Sequence, residues 1–429
     1  MNYQETLDFL YSKLPMFTRV GAAAFKKDLT NTIIFCEALN NPQNKFKSIH
    51  VAGTNGKGST SHMLASVLQA QGFKTGLYTS PHLKDFRERI RINGKMISKA
   101  EVKSFVKTNK KLIFEIEPSF FEATVAMAFE HFARHQVDIA VIEVGLGGRL
   151  DSTNIITPEI SVITNISIDH TNMLGNTLPE IAGEKAGIIK KGIPVVIGET
   201  HPESEPIFVE KAKAESAQIF FADDDVEARD ISVKNNKLQL SVYEKNALKY
   251  QKLKSDLTGL YQPKNILTVL KTLDVLNEQS GLEVAKKSIY DGLAQVKKRT
   301  GLRGRWQTLS KNPLMICDTG HNEAGIMEVI KSIEQTQYER LHIVFGMVKD
   351  KDITKVLSLM PKNASYYFCK PDIERGLETH ELQKQAAAFG LEGIACQSVP
   401  DAKATAISHA GENDLIFIGG STFVVAEAL

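Results

Sequence analysis

At 429 residues the chain is longer than one ordinary hydrophobic core serves, so two or three domains are expected. Hydrophobic content of 42% and charged content of 24% describe a globular protein, and a net charge of +2 without a long basic run gives no reason to expect a nucleic-acid partner. No apolar stretch approaches membrane-spanning length and the start lacks the basic-then-apolar order of a signal peptide, so no membrane association and a cytoplasmic location are expected. Cys36, Cys317, Cys369 and Cys396 are scattered without a CxxC pair, and three lie in apolar runs. They are expected to be reduced packing residues, not disulfides or zinc ligands.

The first predicted element is a buried strand at Ile49–Ala52. It breaks into Gly53, Thr54, Asn55, Gly56, Lys57, Gly58 and Ser59, then reopens as a helix carrying Met63, Leu64, Val67 and Leu68 on one face. A strand, a glycine turn, a lysine, a hydroxyl and a helix together form a phosphate cradle. Glycines let backbone N–H groups converge on an anion, the helix N-terminus adds partial positive charge, and Lys57 neutralises phosphate oxygens. The loop is shorter than the usual Walker form, with Gly58 between the lysine and Ser59. A nucleotide ligand is expected.

Further strands are predicted at Thr75–Thr79, Ile139–Val144, Ile160–Asn165 and Pro194–Ile197, near-continuous apolar runs suited to a parallel sheet covered on both faces. A helix over Glu122–His135 carries Val125, Phe129 and Phe132 at helical spacing, and Ser119 with Glu122 forms a capping box at its start. Phe120 and Phe121 there offer a flat surface to an aromatic ligand, although capping alone accounts for the motif. Three predicted strand ends carry hard or imidazole ligands suited to a magnesium ion beside the phosphate loop: Ser80 with His82, Glu143, and Asp169 with His170. Over 178–189, helical spacing places Lys185 on a stripe with Leu178, Ile181, Ala182, Ile188 and Ile189, away from Glu180 and Glu184. A lysine there either snorkels to the helix edge or is buried with its charge disfavoured.

Residues 225–255 alternate apolar and polar side chains (Ile231, Val233, Leu238, Leu240, Val242) and predict an antiparallel patch at the sheet edge. Helices follow around Lys264–Asn277 and Leu282–Val296. The charged, glycine-punctuated run from Lys297 to Arg305 fits a domain junction. Alternation then restarts with strands at Leu314–Cys317, Leu341–Phe345, Tyr366–Cys369 and Leu415–Ile418. Asp318, His321 and Asn322 lie where the first of these becomes a helix; Asn322 as a cap and Asp318 with His321 as nucleotide contacts are both open. The expected boundaries are 1–296 for a phosphate-loop domain, 297–303 for a hinge, and 304–429 for a second, smaller α/β domain. A cleft between two such domains is a common place for a two-substrate site.

These motifs, in this order, resemble bacterial folylpolyglutamate synthase/dihydrofolate synthase of the Mur ligase superfamily. The resemblance runs from Ile49 to Gly420 and rests on the Gly53–Ser59 loop, Thr79-Ser-Pro-His-Leu83, Glu143-Val-Gly-Leu-Gly-Gly-Arg-Leu-Asp151, Asp169-His170 and Glu184-Lys-Ala-Gly187. It extends through Gln262-Pro-Lys-Asn265, Gly304-Arg305, Asp318-x-x-His-Asn322 and Phe345-Gly-x-x-x-Asp-Lys-Asp352. It implies a mostly parallel α/β sheet around a P-loop, with helices on both faces, followed by a smaller Rossmann-like α/β domain. Ser80, Glu143 and His170 would hold Mg2+, and Gly53 to Ser59 would cradle ATP, with a monovalent cation such as K+ as a further cofactor. Asn265, Arg305, Asp318 and His321 would reach the nucleotide from across the junction. Lys185 matches a lysine that the family carbamylates, and Lys57, Lys185, His170 and Arg305 are the expected catalytic group. Ser119, Phe120, Phe121, Glu122, Leu150, Asp151 and Ser152 match stretches that contact a pterin substrate. The segment Arg19–Thr30 departs from the family's Gly-Leu-Glu-Arg-like pterin loop, and Gly320 and Glu323 stand where Ala and Pro are frequent.

The implied activity is ATP-dependent addition of L-glutamate to dihydropteroate and to folates through an acyl phosphate, by a monomer. Three narrower or different readings stand beside it: tail extension of folates only, a Mur ligase acting on a UDP-linked muramoyl substrate, and a phosphate-loop switch without ligation.

Overall fold

A computed structural model describes residues 1–15, 28–349 and 353–429. Most of the Arg19–Thr30 segment and the Asp350–Asp352 end of the second-domain loop therefore lie outside the described residues. The chain divides into two compact units, Met1–Asp256 with Gln262–Leu302, and Leu257–Tyr261 with Arg303–Leu429.

The first unit is built on an eight-stranded sheet. Its strands are β1 (Lys47–Ala52), β2 (Thr75–Tyr78), β3 (Ile90–Ile92), β4 (Lys95–Met96), β5 (Ile139–Glu143), β6 (Ile160–Ile163), β7 (Val195–Ile197) and β8 (Ile219–Phe221), in the order β4-β3-β2-β5-β1-β6-β7-β8. All pairings from β2 to β8 are parallel; β3 and β4 are antiparallel. Every residue of β2, β5 and β6 is buried, the expected state of central parallel strands with both faces covered. On one face Ala140 and Ile142 pack with Phe129 and Phe132 of the Phe120–Arg134 helix. Elsewhere Ala52, Ile163, Val195 and Ile197 pack with Ile181, Ala182 and Phe208.

The alternating stretch after β8 forms β9 (Val226–Lys234), β10 (Lys237–Glu244) and β11 (Ala247–Ser255), antiparallel in the order β11-β10-β9. They make a separate three-stranded sheet and do not extend the edge of the large one, which corrects the sequence expectation. Leu238, Leu240 and Val242 of β10 are buried, so the small sheet has an apolar face of its own to cover and is held by packing. The run expected as a hinge is helical over Val296–Thr300. Thr300 is buried, with its Oγ1 2.8 Å from His62 Nδ1, which ties the segment to the first unit.

The second unit carries β12 (Gln307–Lys311), β13 (Leu314–Cys317), β14 (Leu341–Phe345), β15 (Ser365–Phe368), β16 (Gly393–Ala395) and β17 (Leu415–Gly419), ordered β12-β13-β17-β14-β15-β16 and parallel except for β12. Period-two alternation sorts its side chains onto two faces. Ile343, Phe345, Tyr366, Phe368 and Phe417 pack with Ile326, Val329 and Leu382; Val344, Tyr367, Cys369, Ile416 and Ile418 pack with Val399, Ala402, Val424 and Val425. Helices therefore cover both faces. All four cysteines are buried free thiols. No described helix is long and apolar enough to cross a membrane.

Candidate active site

The loop after β1 adopts the conformation its glycines permit. Gly53 has φ +141 and Gly56, the residue before the Lys57–Gln71 helix, has φ +84. A Cβ at Gly53 would overlap Thr164 Oγ1, and one at Gly56 would overlap Asn265 Oδ1, so these close approaches require glycine. The segment after β6 pins the loop. Thr54 N donates to Asn165 O (2.9 Å), Asn55 N to Asn165 Oδ1 (3.0 Å), and Thr164 Oγ1 to Asn55 O (2.6 Å). Lys57 Nζ donates to Gly53 O (2.9 Å) and Thr54 O (3.0 Å), which holds its charge over the loop. The first-turn N–H groups of a helix lack intrahelical acceptors and, with the helix dipole, favour an anion here.

Asn265 was expected to act from across the domain junction, yet it belongs to the first unit. Its Nδ2 donates to Gln262 Oε1 (2.9 Å), and Gln262 Nε2 donates to the buried Ser59 Oγ (3.2 Å). The start of the Gln262–Gln279 helix thus braces the start of the phosphate-loop helix.

Glu143 closes β5 and is 4% exposed; one carboxylate oxygen accepts the backbone N–H of Ser80 at 3.0 Å. Pairing of β2 with β5 brings together two residues 63 positions apart. His170 follows β6, two strands from β5, with φ +52 and its Nε2 3.9 Å from Asp169 Oδ2. Oxygen from Glu143 and Ser80, with imidazole available from His170, is a donor set that fits Mg2+.

Lys185 lies on the buried face of the Leu178–Ala186 helix, 4% exposed, beside the equally buried Ile181 and Ala182. Burial first, then the positive charge of Lys57, hold its ammonium down to about 7, while Asp169, Asp151 and Glu184 act the other way. Lys57, Asp169 and Asp151 therefore all act on the Lys185 ammonium, although they come from three separate stretches of sequence. The loop at Gly148 presses against this helix end: a Cβ there would come 2.9 Å from Lys185 O.

The Ser119–Glu122 capping box forms as expected, with Glu122 N donating to Ser119 Oγ (3.2 Å) and Ser119 N to Glu122 Oε2 (2.5 Å). The two phenylalanines part company. Phe120 is a core residue, 5.9 Å from Phe86 and under the Arg89 guanidinium at 5.3 Å, whereas Phe121 is half-buried against Tyr78 and Gly145. Of the pair, Phe121 is the one with a ring still available to a ligand. Asp151 is buried and accepts from Leu146 N (2.9 Å), Thr153 N (3.0 Å) and Thr153 Oγ1 (2.5 Å). Because Thr153 donates to Asp151, it accepts from His50 Nε2 at 2.9 Å, and burial keeps that imidazole neutral, down to about 3. Leu150 is half-buried beside Asp151, and Ser152 is buried at the start of the Ser152–Ile155 turn.

In the second unit Asp318 closes β13, 3% exposed, and accepts from Tyr261 Oη (2.5 Å), Trp306 N (2.7 Å) and Gly320 N (2.8 Å). Burial raises its carboxyl, partly offset by these donors and by Arg305. Arg305 Nη1 donates to Thr319 Oγ1 and to Gly304 O (3.3 Å), and His321 Nδ1 sits 3.0 Å from Thr319 O. Asn322 caps the Glu323–Glu334 helix through Gly325 N (2.8 Å).

Sequence reasoning missed Thr164 and Asn165, the pins of the phosphate loop, whose one visible signal is a polar pair closing the apolar run of β6. It also missed Arg89, a buried guanidinium whose Nε donates to His82 Nδ1 at 2.8 Å. Its surroundings, Lys84-Asp-Phe-Arg-Glu-Arg89, read as an ordinary solvated charge run.

A glycine-lined anion cradle at the tips of a parallel sheet, with a buried carboxylate and a buried lysine on neighbouring strands and helices, defines a nucleotide-dependent group-transfer enzyme. Residues 51–273 match the Mur ligase middle domain, and 304–422 match the Mur ligase, glutamate ligase domain. The folylpolyglutamate synthase of Lacticaseibacillus casei is 36% identical over 82% of this chain and 81% of its own length. The dihydrofolate synthase/folylpolyglutamate synthase of Bacillus subtilis is 31% identical over 99% and 98%. A solved Escherichia coli structure, FolC in complex with DHPP and ADP, superposes with a TM-score of 0.85 at 28% identity, covering 100% of this chain and 97% of that one. The chain belongs to the dihydrofolate synthase/folylpolyglutamate synthase family of Mur ligases, and it is an ATP-dependent ligase.

Proposed function

We propose that the enzyme joins L-glutamate to the carboxylate of dihydropteroate and, on later turnovers, to the terminal glutamate of folates. The carboxylate oxygen takes the γ-phosphoryl group, the γ-phosphorus–oxygen bond of ATP breaks, and ADP is left. The glutamate amine then attacks the acyl carbon, the carbon–oxygen bond to phosphate breaks, and inorganic phosphate leaves as the amine gives up its proton. Phosphoryl transfer of this kind needs positioning and charge neutralisation more than a protein nucleophile. The four thiols suit that chemistry, being buried and without a part in it.

In this reading Lys57 and the first-turn N–H groups hold the phosphates. Ser80, Glu143 and His170 hold Mg2+, which when bound neutralises phosphate charge. Phe121, Asp151 and the Ser119–Glu122 turn receive the pterin, while Asn265, Arg305, Asp318 and His321 contact the nucleotide. Lys185 is modified: its neutral amine adds to CO2, a nitrogen–carbon bond forms, a proton is released, and a cation becomes an anionic oxygen ligand. The observation that carries the reading is the set of Gly56, Lys57, Glu143 and buried Lys185 on adjoining strand tips and helix ends.

Glutamate-dependent phosphate release tests it, measured with dihydropteroate, with tetrahydrofolate, with a UDP-linked muramoyl peptide and with no acceptor. Release with both pterin acceptors alone is expected. Release with tetrahydrofolate only reduces the function to tail extension, and glutamate-independent hydrolysis overturns ligation. Restoration of Lys185→Ala by small carboxylic acids is the expected sign of the carbamate.

A further inference from the structure

A second cluster of metal-ligating side chains lies at the opposite end of the Phe120–Arg134 helix from Ser119 and Glu122. That helix is 15 residues long, so the cluster stands about 20 Å from the pterin-side turn. His131 and His135 sit four residues apart and share a helix face, with ring centroids 4.5 Å apart. Glu101 reaches them from the Lys99–Thr108 helix. Its Oε2 is committed to the capping box, accepting from Ser98 N (3.1 Å) and Ser98 Oγ (2.6 Å). Its Oε1 turns to the imidazoles, 2.7 Å from His135 Nε2 and 3.4 Å from His131 Nδ1, and also meets Arg134 Nη2 at 3.0 Å.

We propose that Glu101, His131 and His135 form a binding site for Zn2+ that clips the start of the Lys99–Thr108 helix to the end of the Phe120–Arg134 helix. Each of the three offers one ligand atom, and these atoms all lie within 4.8 Å of one another. Zinc bonds of about 2.0–2.1 Å in tetrahedral geometry put ligand atoms about 3.3 Å apart, so only small side-chain shifts separate this arrangement from a coordinated one. A second sign is His131 Nδ1: on a residue 4% exposed, it faces Glu101 Oε1 at 3.4 Å without the geometry of a hydrogen bond, and a buried nitrogen so placed is costly unless something completes it.

Two imidazoles with one carboxylate select a borderline cation over Mg2+ or Ca2+, which prefer an all-oxygen shell. The C-terminal end of the longer helix also favours positive charge. Arg134 competes for Glu101, but its side chain is 45% exposed and free to turn into solvent. With three protein ligands and a half-exposed His135, the fourth position opens to water. The site is separate from the ligase chemistry and does not depend on it.

The test is zinc titration of the chelator-stripped full chain in saturating Mg2+, followed by calorimetry and by thermal unfolding. Wild type is expected to bind one Zn2+ that His135→Ala and Glu101→Gln bind at least about tenfold more weakly, with a zinc-dependent rise in melting temperature lost in both variants. Co2+ is expected to give the intense visible absorption of tetrahedral coordination, while both variants keep glutamate-dependent phosphate release. Equal zinc affinity in wild type and variants, or a Co2+ spectrum unchanged by the substitutions, overturns the site.

Discussion

Lys185→Met isolates the cost of burying a lysine. The ammonium is held down to about 7 in the folded chain against an ordinary 10.5. Between these values the unfolded chain carries a proton that the folded chain lacks, so stability rises with pH across that window by about 1.4 kcal/mol per unit. Below pH 7 both states are protonated and the full penalty, about 5 kcal/mol, is present; above pH 10.5 it is gone. Methionine fills a similar volume without the charge. Urea unfolding of both proteins in CO2-free buffer should show the variant more stable at pH 7, with wild type closing the gap by about 3 kcal/mol between pH 7 and 9.5. Bicarbonate at pH 8 should then stabilise wild type alone, since only the neutral amine adds CO2. Parallel pH curves for the two proteins would show that Lys185 is not desolvated as its 4% exposure implies, and the basis for its modification would fall with it.

Gly56→Ala forces a side chain into a left-handed position at about 1–2 kcal/mol and drives Cβ into Asn265 Oδ1, so kcat/KM for ATP should fall at least about tenfold; an unchanged value in steady-state kinetics refutes the cradle geometry. Glu143→Gln keeps an acceptor for Ser80 N but loses the charge, so the Mg2+ concentration for half-maximal activity should rise about tenfold, and an unaltered Mg2+ curve removes Glu143 from the metal. Tyr261→Phe strips one donor from the buried Asp318 and should cost about 1.5–3 kcal/mol in denaturant unfolding; no loss would mean that Trp306 N and Gly320 N satisfy the carboxylate alone.

Legibility in the sequence followed burial. Strands β1, β2, β5, β6 and β7, and later β13, β14, β15 and β17, were plain because both faces are covered and the apolar run is nearly continuous. Those that escaped, β3, β4, β8, β12 and β16, are at or beside a sheet edge and are short or only partly buried, so neither run nor alternation survives. The alternation of β9 to β11 was visible, but alternation reports a half-covered sheet without saying to which sheet a strand belongs.

The site was legible for a different reason, and only as a list. A polar residue closing an apolar strand has to find a partner, so Ser80, Glu143, His170 and Asp318 stood out. The same signature fits a metal ligand, a loop pin such as Asn165, and a helix cap such as Asn322, because each satisfies an otherwise unmatched polar group. What separates them is pairing order: β2 lies beside β5 and β1 beside β6, so Ser80 meets Glu143 while Asn165 meets the phosphate loop. Periodicity within a segment does not encode which strands become neighbours. Lys185 stood out within its own helix, as a cation on an apolar stripe, but only the packing around that helix decides burial over snorkelling.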